Sequence, residues 1–165
     1  MDNNEHVIAT LPFFNGTLII KGTHHIVTDV YYVDKSIDEC IGFGEVAKAK
    51  IQLEEYRDLK RKKFNFKIDI KGTKFQQAVY HHLFDIPFST VISYQELAKL
   101  AGYPKAARAV GQAMSVNKLM IVVPCHRVIA SNNKIGGFTG GLELKQMLFN
   151  LEMISGIRKN HEKKE

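Results

Sequence analysis

Apolar and polar residues alternate in short runs over the first part of the chain. Residues 17–33, which read TLIIKGTHHIVTDVYYV, are rich in β-branched and aromatic side chains and are bounded or interrupted by Gly16 and Gly22. Residues 64–70, FNFKIDI, alternate apolar and polar positions. Both patterns are typical of β-strands. We therefore predict hairpin strands within residues 17–33 and a further strand over residues 64–70.

A helical period separates these strands. Residues 45–62 place Val46, Ile51 and Leu59 among charged side chains, which is the pattern of an amphipathic helix with a mixed-charge outer face. The order strand, strand, helix, strand predicts a small N-terminal α+β domain over residues 1–71.

Helical periodicity continues in the second half of the chain. Phe75, Val79 and Leu83 recur at intervals of four, which predicts a helix that starts near Thr73 and stops at residues 85–87. A last helix is predicted over residues 142–154, after the glycine-rich stretch 136–141.

Two short helices are predicted between these longer ones. Ser93 and Glu96 have the spacing of a capping box at a helix start, and Gly102 suits the end of that helix. Pro104 then suits the first turn of a second helix, KAARAVGQAMS. Two short helices joined by a tight glycine-containing turn indicate a helix-turn-helix.

The predicted fold class is thus α/β (α+β), with two domains and a tail. A small N-terminal strand and helix domain precedes a mostly helical C-terminal domain over residues 72–157, which contains a winged helix-turn-helix. Residues 158–165 form a highly charged tail.

The net charge of +6 is unevenly distributed. Residues 1–71 hold 11 Lys and Arg against 11 Asp and Glu, whereas residues 72–165 hold 12 against 6, so the whole excess of 6 lies in the second half. A basic half beside a neutral one favours contact with a polyanion such as nucleic acid, and solubility is the plainer alternative. The alanine-rich second helix of the pair fits either close helix packing or entry into a DNA groove, with Arg108 as its long cation.

Composition restricts the class of protein further. No apolar run approaches the roughly 20 residues that span a bilayer, and the polar N-terminus is unlike a signal peptide, so we expect a cytoplasmic protein without membrane contact. Cys40 and Cys125 are the only two cysteines. We expect both to be free thiols, since the cytosol keeps thiols reduced, and we expect no metal site or cofactor.

One segment carries chemistry. Residues 121–129, IVVPCHRVI, look like a buried strand and place a nucleophile, a base and a cation side by side between apolar runs. His126 and Arg127 would supply the base and the positive field that favour ionisation of the Cys125 thiol. Neighbouring side chains of a strand point to opposite faces, so Cys125 and His126 can cooperate only if Pro124 starts a turn or a water links them. The plainer interpretation is a buried strand cysteine followed by a surface histidine.

These segments together resemble a known family. SYQELA at 93–98, PKAARAVG at 104–111, Asn117, PCHRV at 124–128 and the glycine-rich loop before a helix closely resemble the O6-alkylguanine-DNA alkyltransferases of direct DNA repair. PCHRV resembles the active-site signature of that family. The resemblance covers residues 73–154, while residues 1–71 match only in size and in their strand and helix pattern.

The resemblance implies a catalytic set. Cys125 would accept the alkyl group from O6 of guanine, His126 would deprotonate it through a water, and Glu152 would orient the imidazole. Tyr94 would donate to guanine N3 and help to rotate the nucleotide, and Arg108 would fill the space left by the extruded base. The partner would be double-stranded DNA containing O6-alkylguanine, bound through the minor groove by a monomer.

The resemblance also implies substrate contacts. Carbonyl groups of Cys125 and Val128 would accept from the exocyclic amine of guanine, and the N–H of Thr139 would donate to O6. Asn117 would tie the active-site loop to the helix-turn-helix. The thin surface around Ala107 would enter the minor groove, and Lys105 would contact phosphate.

Two residues depart from the family pattern, and two other classes of protein stay open. Lys118 and Met120 stand where the family often has prolines, which leaves the size of the accepted alkyl group open. One alternative is a helix-turn-helix module that binds DNA damage without chemistry. The other is a cysteine hydrolase, which would turn over many substrates, whereas a thioether on Cys125 has no route to hydrolysis.

Overall fold

The computed structural model describes residues 5–130 and 141–162. Contacts group the chain into two compact units. The first comprises the residues up to Ile70 together with Lys118–Val122, and the second comprises Lys71–Asn117 and the residues from Val123 onward. The mixed α/β class is confirmed. In the described part of the chain, every helix is too short or too polar to cross a membrane.

An antiparallel sheet forms the centre of the first unit. Strands β1 (Val7–Phe13), β2 (Gly16–Gly22) and β3 (Val27–Val33) pair in sequence order. The predicted hairpin over residues 17–33 is confirmed as β2 and β3. Strand β1 precedes the segment that we assigned, although its alternation of buried and exposed positions is regular over most of its length.

Helix α1 (Gly44–Arg57) covers this sheet. Its buried apolar residues recur at intervals of three and four, as an amphipathic helix requires: Val46, Ala49, Leu53 and Tyr56. The helix was predicted to reach residue 62 but ends five residues earlier. Leu59 adopts a φ of 61°, which is outside the helical region and stops the helix before the basic run 60–63.

The predicted strand over residues 64–70 is wrong. This segment makes only an isolated bridge, in which Val27 bonds to the backbone of Lys67 and Asp69 at 2.9 Å each. Its alternating apolar residues, Phe64 and Phe66, instead form an aromatic cluster with Tyr56. Packing of the rings therefore accounts for the alternation that suggested a strand.

Four helices form most of the second unit. They are α2 (Lys74–Phe84), α3 (Tyr94–Leu100), α4 (Ala107–Ser115) and α5 (Leu142–Glu162), with two short parallel strands, β4 (Ile92–Ser93) and β5 (Val128–Ile129). Helix α5 continues past the predicted start of the charged tail at residue 158.

Local capping explains where two of these helices begin. Thr73 and Gln76 form a reciprocal capping box at the start of α2, as the predicted start near Thr73 requires. The Ser93 hydroxyl accepts from the Glu96 N–H at the start of α3, which confirms the Ser93 half of the predicted capping box. Because these caps are set by residues three apart, the sequence alone was sufficient to find them.

The turn between α3 and α4 differs in detail from the prediction. Gly102 follows the end of α3 with a φ of 89°, as expected of a glycine at a helix C-terminus. Pro104 does not open α4. It lies in a turn closed by the Ala106 N–H and the Tyr103 carbonyl, and α4 begins only at Ala107. Proline suits the second position of such a turn as well as a helix start.

The apolar run before the PCHRV motif is not a strand. Leu119 makes one bridge to Val30 of β3, and the Val122 N–H then bonds to the Met120 carbonyl at 2.8 Å. Ile121 lies between them with a φ of 72°, which a β-branched residue rarely adopts. The run is buried, as predicted, but it forms tight turns.

Candidate active site

A turn places Cys125 and His126 side by side. The Cys125 N–H bonds to the Val123 carbonyl across Pro124, and residues Cys125–Arg127 form a 3-10 turn closed by the Arg127 N–H and the Pro124 carbonyl at 2.9 Å. The chain becomes extended only at Val128. The predicted strand over the whole of PCHRV is therefore wrong, and the alternative of a turn at Pro124 is confirmed.

The side chains of this turn are buried. Cys125 is fully buried and His126 is 1% exposed, which contradicts the alternative of a surface histidine. Glu152 on α5 is also 1% exposed. Burial of ionisable groups is costly unless each is paired, so their partners decide what the site can do.

The Cys125 thiol is protonated in the resting protein. Burial raises the pKa of this thiol to about 11, against smaller opposing effects of the Asn117 amide and the Lys145 ammonium. Asn117 Nδ2 lies 3.3 Å from the Cys125 Sγ and donates to the Val123 carbonyl at 2.9 Å. The amide of Asn117 thus holds both ends of the turn that presents the sulfur. A thiol in this state becomes a nucleophile only if a base removes its proton.

His126 follows Cys125 directly and has one ring nitrogen that can accept a proton. Its Nε2 forms a short hydrogen bond with Glu152 Oε2, and its Nδ1 is buried with no hydrogen-bond partner among the described residues. Burial lowers the pKa of His126, although Glu152 opposes this effect. An ionised Glu152 requires the proton on Nε2, which leaves the Nδ1 lone pair as the acceptor.

Glu152 stays ionised through several donors. Burial alone would raise the pKa of its carboxyl group, but the hydrogen bonds from His126 and Arg127, together with the charge of Arg127, outweigh burial and hold this pKa well below its usual range. Arg127 Nε donates to Glu152 Oε1 at 2.9 Å. The prediction that Arg127 would favour ionisation of the thiol is therefore wrong, because this cation pairs with Glu152.

Lys145 is the cation that acts on the thiol, and the sequence analysis missed it. Its side chain is 1% exposed, and its Nζ lies 3.4 Å from the Tyr94 hydroxyl. Burial lowers the pKa of Lys145 to about 8, against the opposing effect of Cys125. The signal was present, since Lys145 precedes Glu152 by two helical turns and shares a face with it and with buried Leu148.

Tyr94 belongs to the same group of side chains. It is the first residue of α3 and is half-buried, and burial and Cys125 together raise the pKa of its hydroxyl. Gly111 of α4 lies beside its ring, where an added Cβ would be 3.9 Å away. A small residue at this position of α4 therefore leaves room for the tyrosine ring.

The second helix of the pair has two faces. Val110, Ala113 and Met114 are buried, and α4 packs against α3. Arg108 is exposed and Ala107 is partly exposed at the N-terminal end of α4, and Lys105 is exposed in the preceding turn. The packed residues and the exposed residues thus lie on different sides of the helix.

Two further residues from the sequence analysis have different outcomes. Val128 is buried in β5, where it pairs with Ile92, and its N–H bonds to the Cys125 carbonyl. Thr139 lies outside the described residues, as does most of the glycine-rich loop.

Comparison with known proteins identifies similar sequences. Residues 74–154 match the family profile of the 6-O-methylguanine DNA methyltransferase, DNA binding domain. A methylated-DNA–protein-cysteine methyltransferase of Mycobacterium leprae is 39% identical over 142 residues, which cover 83% of this chain and 86% of the relative. The constitutive enzyme of the same name from Bacillus subtilis is 48% identical over 111 residues, or 67% of each chain.

Solved structures are also similar to this chain. The crystal structure of the Mycobacterium tuberculosis O6-methylguanine methyltransferase superposes with a TM-score of 0.82 at 32% identity, covering 92% of this chain and 94% of the other. The mycobacterial protein in complex with DNA gives a TM-score of 0.79 at 32% identity, covering 88% and 92%. These matches extend over most of the chain, including the first unit, where the sequence resemblance was weak.

Proposed function

Because the chain belongs to the 6-O-methylguanine DNA methyltransferase family, we propose that it repairs DNA directly, by transferring an alkyl group from O6 of guanine to Cys125. One observation carries this proposal. Cys125, His126 and Glu152 are all buried, and they lie within residues 74–154, the region that matches the family and that also contains the helix-turn-helix of α3 and α4.

The transfer needs one group that accepts the proton of the thiol and one group that donates a hydrogen bond to the departing guanine. His126 Nδ1 takes the thiol proton through a water, and Glu152 stabilises the imidazolium that forms. The thiolate then attacks the saturated carbon attached to O6, so that a carbon–sulfur bond forms while the carbon–oxygen bond breaks. The bonding electrons stay on guanine, and protonation of the guanine neutralises its negative charge. The thioether on Cys125 is stable to water, so each molecule reacts once.

Tyr94 is proposed to supply the hydrogen bond to the departing base. Its hydroxyl would donate to guanine N3, while the Lys145 ammonium donates to the same hydroxyl oxygen, as the separation of 3.4 Å allows. A tyrosine that accepts from a cation is a better donor. Lys145 would also favour the thiolate during the reaction, because it is the cation that lowers the pKa of Cys125.

Base extrusion and DNA binding complete the proposal. A carbon on O6 is out of reach inside a duplex, so the nucleotide must rotate into the site. Exposed Arg108 would fill the space that the rotated nucleotide leaves in the base stack. Ala107 would lie against the minor groove, and Lys105 would contact a phosphate. Carbonyl oxygens of Cys125 and Val128 and the N–H of Thr139 would contact the guanine, and Asn117 would keep the turn in place. One monomer acts on one lesion.

Separating chemistry from binding tests this function. Cys125→Ser should abolish transfer of a methyl group from a duplex with one O6-methylguanine, while its affinity for that duplex, measured by fluorescence anisotropy, stays within about twofold. Cys40→Ser is the matched control and should keep full transfer, since Cys40 is exposed. Methyl transfer by Cys125→Ser would reject the proposal in favour of another acceptor. Selective binding of the lesion without transfer by the unaltered protein would favour a damage-binding module.

A further inference from the structure

The Glu152 carboxylate has more partners than a histidine-orienting group needs. Its Oε1 accepts from Arg127 Nε at 2.9 Å and from the Ser89 N–H at 3.0 Å. Its Oε2 accepts from His126 Nε2 and from Arg127 Nη2 at 3.2 Å. Arg127 therefore contacts both oxygens, and only one of them reaches the imidazole.

Arg127 is itself anchored to the segment between α2 and β4. Its Nη1 donates to the Ile86 carbonyl at 2.6 Å, and its guanidinium carbon lies 5.8 Å from the centre of the Phe88 ring. Ser89 adopts a φ of 63°, a left-handed conformation that serine seldom takes. The same carboxylate thus binds the arginine and the N–H of this unusual turn.

We propose that Arg127 is a positioning residue for alkyl transfer, which fixes Glu152 against the turn at residues 86–89 so that one carboxylate oxygen meets His126. The inference rests on the proposed function. Its second consequence concerns charge. A carboxylate that faced His126 alone would favour the imidazolium, which cannot accept the thiol proton. Burial lowers the pKa of His126, and the guanidinium adds to this effect by offsetting the carboxylate, so that the imidazole stays neutral until the reaction begins.

The other groups around His126 do not replace Arg127. Lys145 also disfavours the imidazolium, but its Nζ lies beside the Tyr94 hydroxyl, whereas Arg127 contacts both oxygens of Glu152. Cys125 is a neutral thiol in the resting protein, and the hydroxyls of Tyr94 and Tyr80 are neutral near pH 7. The balance between Glu152 and the imidazole therefore depends mainly on Arg127.

The test is the pH dependence of a single turnover. The rate constant for methyl transfer from a saturating O6-methylguanine duplex is measured from about pH 5 to pH 9 for the unaltered protein, Arg127→Gln and Arg127→Lys. Arg57→Gln is the matched control. Arg57 also pairs with a carboxylate, that of Asp58, and donates to the Pro12 carbonyl, but it lies in the first unit.

Loss of the Arg127 charge and loss of its contact with both oxygens of Glu152 should give different results. Arg127→Gln should slow transfer at least about tenfold and move the acid limb of the profile upward by roughly one pH unit, because His126 then protonates more easily. Arg127→Lys retains the charge without the two-oxygen contact. It should slow transfer by a similar factor while the acid limb stays in place. Arg57→Gln should change neither quantity.

Several results would overturn the inference. An acid limb that stays in place in a folded Arg127→Gln protein would leave Arg127 with a structural role only. If that protein is folded but inactive, the ¹⁵N shifts of His126 report its titration directly, and an unchanged midpoint is equally decisive. If Arg127→Gln does not fold, transfer by Arg127→Lys at the unaltered rate rejects the positioning role. Failure of the unaltered protein to methylate Cys125 would instead reject the proposed function.

Discussion

The two compact units bury charge in different ways. In the first unit, Lys50 is largely buried, but its partner Glu39 has a side chain that is 65% exposed. In the second unit, Arg127 and Glu152 are both buried and share a hydrogen-bond network with His126. A pair with one partner in water contributes little to stability, whereas removing one member of a buried pair leaves an uncompensated charge.

This difference indicates where function lies. The sheet and helix of the first unit are joined by apolar contacts of residues such as Leu18, Ile20 and Leu53, which need no chemistry to explain them. The second unit places a thiol, an imidazole, an ammonium and a carboxylate in its interior, which an apolar core would avoid. Retaining such groups is explained by alkyl transfer rather than by stability.

The largest effect is expected from Glu152→Gln. It leaves Arg127 without its counter-ion and replaces one of the two acceptor oxygens by an NH2 group, which cannot accept from His126 or Arg127, so we expect a loss of about 3–5 kcal/mol in the free energy of unfolding. Transfer should fall by at least about 100-fold. Urea denaturation and single-turnover kinetics measure these changes. Near-normal values of both would mean that the network is not needed for either property.

A smaller effect is expected from Asn117→Ala. The substitution removes two buried hydrogen bonds, those to the Val123 carbonyl and to Cys125 Sγ, which costs about 1–3 kcal/mol, and the carbonyl keeps only the Cys125 N–H as a donor. It should also raise the pKa of Cys125 further, since the amide is one of the groups that lower it. Thermal unfolding and the basic side of the pH profile check both points. An unchanged pH profile would contradict the second.

Acid should destabilise the second unit through Glu152. Its pKa is lowered on folding, so its ionisation contributes stability above the unfolded-state pKa of about 4.3, and this contribution is lost as the pH falls below about 5. The stability difference between the unaltered protein and Glu152→Gln should therefore shrink on acidification. A difference that stays constant from pH 7 to about pH 3 would show that the carboxylate charge is not responsible.

Arg108→Ala should change function with almost no change in stability. The side chain is exposed, so the free energy of unfolding should move by less than about 0.5 kcal/mol. Repair of O6-methylguanine in duplex DNA should slow by about 10- to 100-fold, whereas transfer from the free base should be unchanged, because the free base needs no extrusion. Equal loss with both substrates would assign Arg108 to the chemistry.

The smallest effect is expected from Glu39→Gln in the first unit. Its pKa is lowered by Lys50, but the carboxylate lies in water, which screens the pair. The unfolding midpoint and the repair rate should both stay within error of the unaltered values. A large loss would make the comparison between the two charged pairs invalid.

Local features were predictable from the sequence, and long-range pairings were not. The helix starts at Thr73 and Ser93 depend on residues within one helical turn, and the motif PCHRV itself contains the nucleophile, the base and the cation. The fate of residues 64–70 depended on whether Phe64 and Phe66 met a strand or the ring of Tyr56. That choice is made by tertiary contacts, which periodicity does not contain.

The site shows the same limit. Cys125, His126 and Glu152 were assigned from the motif and the resemblance, whereas the partner of Arg127 and the presence of Lys145 required coordinates. Adjacent residues in sequence suggested that Arg127 served the thiol, but the 3-10 turn directs it to α5. The cation near the thiol instead comes from a residue 20 positions away in the chain.

Intact-protein mass spectrometry shows whether Cys125 takes up the methyl group. The protein is incubated with excess duplex containing one O6-methylguanine, and the modified residue is then mapped by peptide sequencing. We expect a gain of one CH2 unit per molecule, located on Cys125, with no further turnover. Guanine released beyond one equivalent per protein, or a methyl group located on Cys40, would contradict it.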